Sequence, residues 1–208
     1  MSKRVIREAH GRMRPRLLDS HHWGVALPVA AEALVHWRSA VEAMARRGDI
    51  SAVVAFDLDL QNMFGSIEWP KIRAAIAAHL PEAAAWTDWA HRESAVVQLP
   101  DGTEYRVNRG AEQGDPFGSA GASLTLGDAM DVARPAFEEA TAAERVSGQT
   151  GAVDEWFIDD GQAFVQPALA DAWLRAVDGA LAQSGAAPGV GDSCKSVARL
   201  VCPDSDSH

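Results

Sequence analysis

The sequence predicts an α+β fold, with helices packed against an antiparallel sheet. Three features carry this expectation. Residues 51–58 form an almost continuous apolar run of strand length, as suits a central strand covered on both faces. Residues 153–158 and 163–165 form two further apolar runs around Asp159, Asp160 and Gly161, and Gly161 is expected to permit a tight turn between antiparallel partners. Stretches of helical periodicity alternate with these strands.

Taken in order, residues 1–16 show no strong periodicity, and residues 1–20 read as a flexible basic arm. Pro28 opens a helical pattern with Ala31, Leu34, Val35, Val41 and Met44 on one side, ending at Arg46-Arg47-Gly48. Proline in the first turn, basic residues in the last turn and glycine after them are consistent helix punctuation. The strand at 51–58 follows. Trp69-Pro70 begins a second helix with Ile72, Ala75, Ile76 and Leu80 on its apolar side, closed by Pro81. Residues 94–99 and 104–107 flank Pro100-Asp101-Gly102-Thr103, an Asp-Gly hairpin signal.

Residues 119–143 read as a long alanine-rich helix that Pro135 kinks or splits. The Asp159-Asp160 hairpin comes next, then a helix over 167–183 and an apolar strand over 197–201. Residues 21–203 form the folded domain, and 204–208 form a disordered tail.

Composition narrows the function classes. A net charge of −10 is not the electrostatic footprint expected of a nucleic-acid binder. The balance is uneven, because Lys3, Arg4, Arg7, Arg12, Arg14 and Arg16 face only Glu8 within the first sixteen residues. A basic arm of this kind can touch phosphates or simply be solvated. Cys194 and Cys202 make neither a disulfide framework nor a four-cysteine zinc site. No apolar run approaches membrane-spanning length and no secretion signal is evident, so the expected setting is intracellular, nucleus or cytoplasm, without a membrane partner.

Three motifs carry chemistry. Asp59 ends the first strand, and Phe64 follows five residues later; a carboxylate there can hold a cation while the aromatic walls off a pocket. The segment Gly110-Ala111-Glu112-Gln113-Gly114-Asp115-Pro116 precedes a helix. Such a loop exposes backbone N–H groups to an anion, and equally reads as a turn capped by Asp115 with Pro116 at the first helical position. Asp159 and Asp160 sit side by side at a hairpin tip. Adjacent carboxylates repel unless a cation neutralises them, and Mg²⁺ prefers hard oxygen ligands. Any one of these has a bland reading as a turn.

Their order along the chain resembles the palm of reverse transcriptases, particularly those of retrotransposons lacking long terminal repeats. Asp59 to Phe64 looks like the family's first motif, Gln113-Gly114-Asp115-Pro116 its second, and Phe157-Ile158-Asp159-Asp160 its third. Residues 189–197, with Lys195, resemble a weaker fourth. The resemblance covers roughly residues 20–203. It implies a polymerase palm-type antiparallel sheet with helices on one face, partial fingers and no thumb. It also implies RNA-directed DNA synthesis with two Mg²⁺ ions, or Mn²⁺ in their place, held by Asp59, Asp159, Asp160 and the Leu60 carbonyl.

On the same resemblance, Asp160 acts less directly than Asp159. Phe64 excludes a 2′-hydroxyl, and Gln113, Gly114, Asp115 and Pro116 meet the template and the incoming nucleotide. Lys195 donates a proton to pyrophosphate. Implied partners are an RNA template, a DNA primer, deoxynucleoside triphosphates, and a thumb or endonuclease part of a polyprotein. Gly65 departs from the family's usual Asp or Asn. Asp57, two residues before Asp59, receives no catalytic role.

Two other readings stand beside this one. A palm remnant would act only within a larger assembly. Phe56-Asp57-Leu58-Asp59 also imitates the Asp-x-Asp strand end of haloacid dehalogenase-like phosphatases, but Gln61 stands where Thr or Val is expected. The adjacent His21 and His22 read as a loop rather than a metal site.

Overall fold

The computed structural model describes residues 3–25, 27–111, 117–145, 150–186 and 195–204. Strand β1 (Val53–Asp59) lies inside a four-stranded antiparallel sheet, between β5 (Asp160–Val165) and β6 (Val197–Val201). Strand β4 (Ala152–Phe157) pairs outside β5. The central position explains the nearly continuous apolar run, because both faces of β1 are covered. Phe56 and Leu58 turn into the main core, while Val53 and Ala55 join Phe164, Val201 and Ala45 in a second one.

Helices α6 (Gly118–Ala140) and α7 (Ala170–Ser184) pack together and contribute to the main core. Phe56 stacks on Trp173 of α7, with ring centroids 5.0 Å apart. Helix α2 (Ala30–Arg47) contributes Ala45, Trp37 and Val41 to the second core, on the other face of the sheet. Trp37 meets Phe164 edge-on at 5.3 Å. Arg38 of α2 grips Asp57 through both oxygens (2.6 and 2.8 Å) and also bonds Glu42, which in turn accepts from Arg199 on β6. Asp57 therefore ties α2 to the sheet.

Four local expectations change. Residues 3–19 are helix α1 (Lys3–Asp19) rather than a flexible arm. Ala9, Met13 and Leu17, four residues apart, lie on one helical stripe and are fully buried. The basic side chain of Arg16 bonds Asp128 (2.6 Å) and Asp131 (2.8 Å) on α6.

Pro81 ends α4 (Trp69–His79), which follows the single turn α3 (Met63–Ser66), but it also opens a further helix, α5 (Pro81–Ala90). A proline suits a first helical turn as well as a stop. Helix α6 runs through Pro135 without a break.

Gly161 is not in the turn. The two turn residues are Ile158 and Asp159, and Gly161 is the second residue of β5. A Cβ at Gly161 would come within 2.5 Å of the Trp156 ring, so its glycine admits the tryptophan to the core. The hairpin β2 (Ala95–Gln98) and β3 (Glu104–Val107) forms as expected and is exposed along its length.

Met13→Ala or Leu17→Ala is expected to cost about 2–5 kcal/mol of stability in urea unfolding. A flexible arm would leave the midpoint unchanged.

Candidate active site

The site lies where β1 ends beside the β4–β5 hairpin. Alternating burial fixes the register, because a one-residue slip of β1 would carry its apolar side chains to the wrong faces. In the observed register Asp59 stands directly opposite Asp160, and Asp160 pairs with Phe157 on its other side. The next residue of the first motif, Leu60, donates its N–H to the Asp159 carbonyl at 3.2 Å. The two acidic motifs, a hundred residues apart in sequence, thus meet through backbone pairing.

Three carboxylates so placed repel one another. Partial desolvation, then the charges of Asp159 and Asp59, raise the carboxyl pKa of Asp160 above the ordinary aspartate value, while Lys195 pulls it back. The Lys195 ammonium is 3.9 Å from Asp59 Oδ1 and is otherwise largely exposed. Ser196 fastens the same strand end: its Oγ accepts the Asp59 N–H at 3.0 Å and donates to the Asp59 carbonyl at 3.4 Å.

Among the described residues, no three His, Cys, Asp or Glu side chains converge closely enough to cage a metal ion by themselves. Mg²⁺ does not need such a cage. It is commonly held by one or two carboxylates, with water and substrate phosphates completing the shell. The hard-oxygen donors and their repulsion, relieved here by an ammonium, fit a cation of that type.

Phe64 lies half-buried in α3 against the main core. Its carbonyl accepts the Ala111 N–H at 2.5 Å, and the Ile67 carbonyl accepts that of Gly110 at 2.7 Å. Trp69 Nε1 donates to the Gly110 carbonyl at 2.8 Å. The segment entering the second motif is therefore docked beside Phe64, and its exit at Phe117 is buried. Gln113, Gly114, Asp115 and Pro116 themselves lie outside the described residues, as do positions 189–194 of the fourth motif. At Gly65, an added Cβ would run into the Asn62 amide; the glycine makes room for that side chain.

One supporting segment was invisible in the sequence. The segment from His21 to Gly24, with His21 and His22 expected as a loop, runs along the outer edge of β4. The Trp156 N–H donates to the His21 carbonyl (2.8 Å), and the Trp23 N–H donates to the Trp156 carbonyl (2.7 Å). The Trp23 indole N–H reaches Glu155 at 2.5 Å. His22 is buried, and burial pushes its imidazole down to about 4. Its Nε2 is 3.2 Å from the Ile158 carbonyl, an acceptor, so the neutral ring carries its proton on Nε2.

Below the hairpin, buried Asp154 receives two bonds from Arg134 of α6 (3.1 and 2.7 Å) and one from Trp156 Nε1 (2.9 Å). The only sequence cue to these braces is polar residues inside an apolar strand pattern.

Among solved structures, the chain is similar to apo telomerase from Candida tropicalis truncated from its C-terminal domain. The TM-score is 0.63 at 11% identity, covering 98% of this chain and 40% of that one. It is also similar to telomerase from Candida albicans in complex with the TWJ fragment of telomeric RNA, with a TM-score of 0.62 at 11% identity, covering 94% and 33%. The corresponding Candida tropicalis complex gives 0.61 at 9%, covering 95% and 33%. The chain thus spans two fifths or less of these relatives' length. At such identities the likeness shows the fold, an α+β palm-type arrangement shared with telomerase. No family model matches the sequence, and no curated protein matches it. Among the described residues, no helix is long and apolar enough to cross a membrane.

Two expectations follow from the charges. Asp160→Asn should raise the melting temperature at neutral pH without divalent cations. Because the native pKa of Asp160 is raised, its penalty is present at neutral pH and is relieved on acidification, so the gain should shrink as pH falls towards 3.8. His22 has the opposite sense of titration cost. Its lowered native value means that stability, on the order of a few kcal/mol, is lost as pH falls from 6.5 to about 4. His22→Gln should flatten that part of a stability–pH profile.

Proposed function

We propose that this chain performs template-directed nucleotidyl transfer, as the RNA-directed DNA polymerase palm of a retroelement lacking long terminal repeats. The observation that carries the reading is the register that sets Asp59 opposite Asp160, with Asp159 at the turn and Lys195 alongside. The telomerase-like fold supports the general class of chemistry. The retroelement assignment rests on the three ordered motifs.

In this reading Asp59 and Asp159, with the Leu60 carbonyl, would hold Mg²⁺ or Mn²⁺. The bound metal would supply Lewis-acid stabilisation of the charge that builds up on phosphate and would ease deprotonation of a primer 3′-hydroxyl. Asp160 keeps the local field negative and acts less directly. Phe64 stands beside the docked entry to the second motif, where its ring can bear on the sugar of an incoming deoxynucleotide and obstruct a 2′-hydroxyl. Gln113 to Pro116 would face the template–nucleotide pair. Lys195 is a proton donor for departing pyrophosphate, exposed and 3.9 Å from Asp59.

An RNA template and a DNA primer are the macromolecular partners, and deoxynucleoside triphosphates are the small substrates. With so acidic a chain, grip on the duplex would come from further parts of a polyprotein. A palm that works only within such an assembly would show the same site. A phosphatase with Asp57 as nucleophile has little support, because Arg38 holds both of its oxygens.

The test is primer extension on an RNA template with Mg²⁺ or Mn²⁺. Asp59→Asn and Asp159→Asn should each reduce deoxynucleotide incorporation by about a hundredfold or more while remaining folded. Asp57→Asn should keep activity and lose about 1 kcal/mol of stability, as expected for removing a half-exposed ion pair. Equal loss of activity from Asp57→Asn, with phosphate release by the wild type, would favour the phosphatase scheme.

A further inference from the structure

We propose that His22 is a positioning residue for the hairpin that carries Asp159 and Asp160. The proposal rests on the nucleotidyl-transfer reading in that Asp159 is taken as a metal-binding group. Ile158, the residue just before Asp159, has φ +58°. This region is unfavourable for any residue with a Cβ and most of all for a β-branched one. Such a conformation persists only where its surroundings over-determine it. Here the surroundings come from a segment more than 130 residues away in sequence.

Three contacts converge on the turn. His22 is 1% exposed and donates from Nε2 to the Ile158 carbonyl at 3.2 Å. His22 bridges Trp156 in parallel fashion, with backbone hydrogen bonds of 2.8 and 2.7 Å on either side, which carries the sheet's order out to the start of the turn. Gly24 then lies flat against Ile158. A Cβ built there would sit 2.5 Å from the Ile158 backbone nitrogen and would overlap its side chain. The clamp therefore bears on the carbonyl, the nitrogen and the side chain of one strained residue.

A histidine suits this role. Its imidazole reaches a carbonyl from a buried position while filling space as an apolar ring would. The donor atom is needed because the group it meets, the Ile158 carbonyl in the turn between β4 and β5, is an acceptor. An apolar residue of the same size would fill the space and leave that carbonyl unpaired, at a cost comparable to a lost hydrogen bond. The freed turn would then relax towards negative φ and carry Asp159 with it.

The experiment compares His22→Gln, which keeps a donor nitrogen at a similar reach, with His22→Leu, which keeps bulk alone. Gly24→Ala presses on the turn from outside without touching His22. Amide exchange over 157–161, against amides of α7 as internal control, is followed together with Mn²⁺ affinity by electron paramagnetic resonance. His22→Leu and Gly24→Ala should each speed exchange at the turn by about tenfold, leave α7 protected, and weaken Mn²⁺ binding, while His22→Gln stays close to wild type.

Wild-type protection at the turn in His22→Leu would overturn the proposal. So would equal losses in His22→Gln and His22→Leu that spread to α7. If His22→Leu does not fold, Gly24→Ala and His22→Gln give the same decision. Failure of the wild type to bind Mn²⁺ would contradict the metal reading of the site, whereas exchange at the turn decides the clamp independently.

Discussion

Repulsion among the carboxylates of Asp59, Asp159 and Asp160 is the constraint that the rest of the molecule holds in check. Left to itself, a chain separates like charges or protonates one of them, and the raised pKa of Asp160 is the residue of that tendency. The fold prevents separation by making the positions of all three a matter of backbone pairing. Asp59 is the last residue of a strand buried on both faces, and Asp160 is its register partner. Moving either would require β1 to slip and Phe56 and Leu58 to leave the core. Hydrophobic burial of that size outweighs a partly screened electrostatic penalty.

The supporting parts are arranged around this point. Helices α6 and α7 back the sheet on one face, and α2 closes part of the other through Trp37, Val41 and the Arg38–Asp57 pair. Arg134 anchors β4 to α6 through Asp154 and also donates to the Ser20 carbonyl at the end of α1. The N-terminal segment then continues along β4 to the hairpin turn. Residues remote from the carboxylates thus link the first helix of the chain to the strain at Ile158. Lys195 and Ser196, arriving from the far end of the chain, hold the other side of Asp59.

Much of this was legible in the sequence, and the unread parts have physical reasons. The strand at 51–58, the hairpin and the long helices announce themselves by period and length, because burial on one or both faces leaves a direct imprint. The first helix was hidden because its apolar stripe is a single line, Ala9, Met13 and Leu17, among basic residues and interrupted by Gly11 and Pro15. Helix α5 was hidden because Pro81 can both stop and start a helix. The turn was misplaced because glycine is the default for positive φ, whereas here an isoleucine takes that conformation and Gly161 serves the Trp156 ring. The His21–Gly24 edge has no local signature, since its partners are contributed by tertiary pairing. Of the candidate site residues, Asp59, Asp159, Asp160, Leu60 and Lys195 are brought together, and Phe64 stands at the entry to the second motif.

If clustered carboxylates are a cost that a cation relieves, a divalent ion must stabilise the folded chain through those side chains. The most direct measurement is the calorimetric melting temperature of the wild type, Asp59→Asn and Asp159→Asn across a series of Mg²⁺ concentrations at constant ionic strength. A rise in the wild type that is largely lost in both variants is the predicted result. An equal rise in all three, or none in the wild type, would contradict a metal-binding role for this carboxylate cluster.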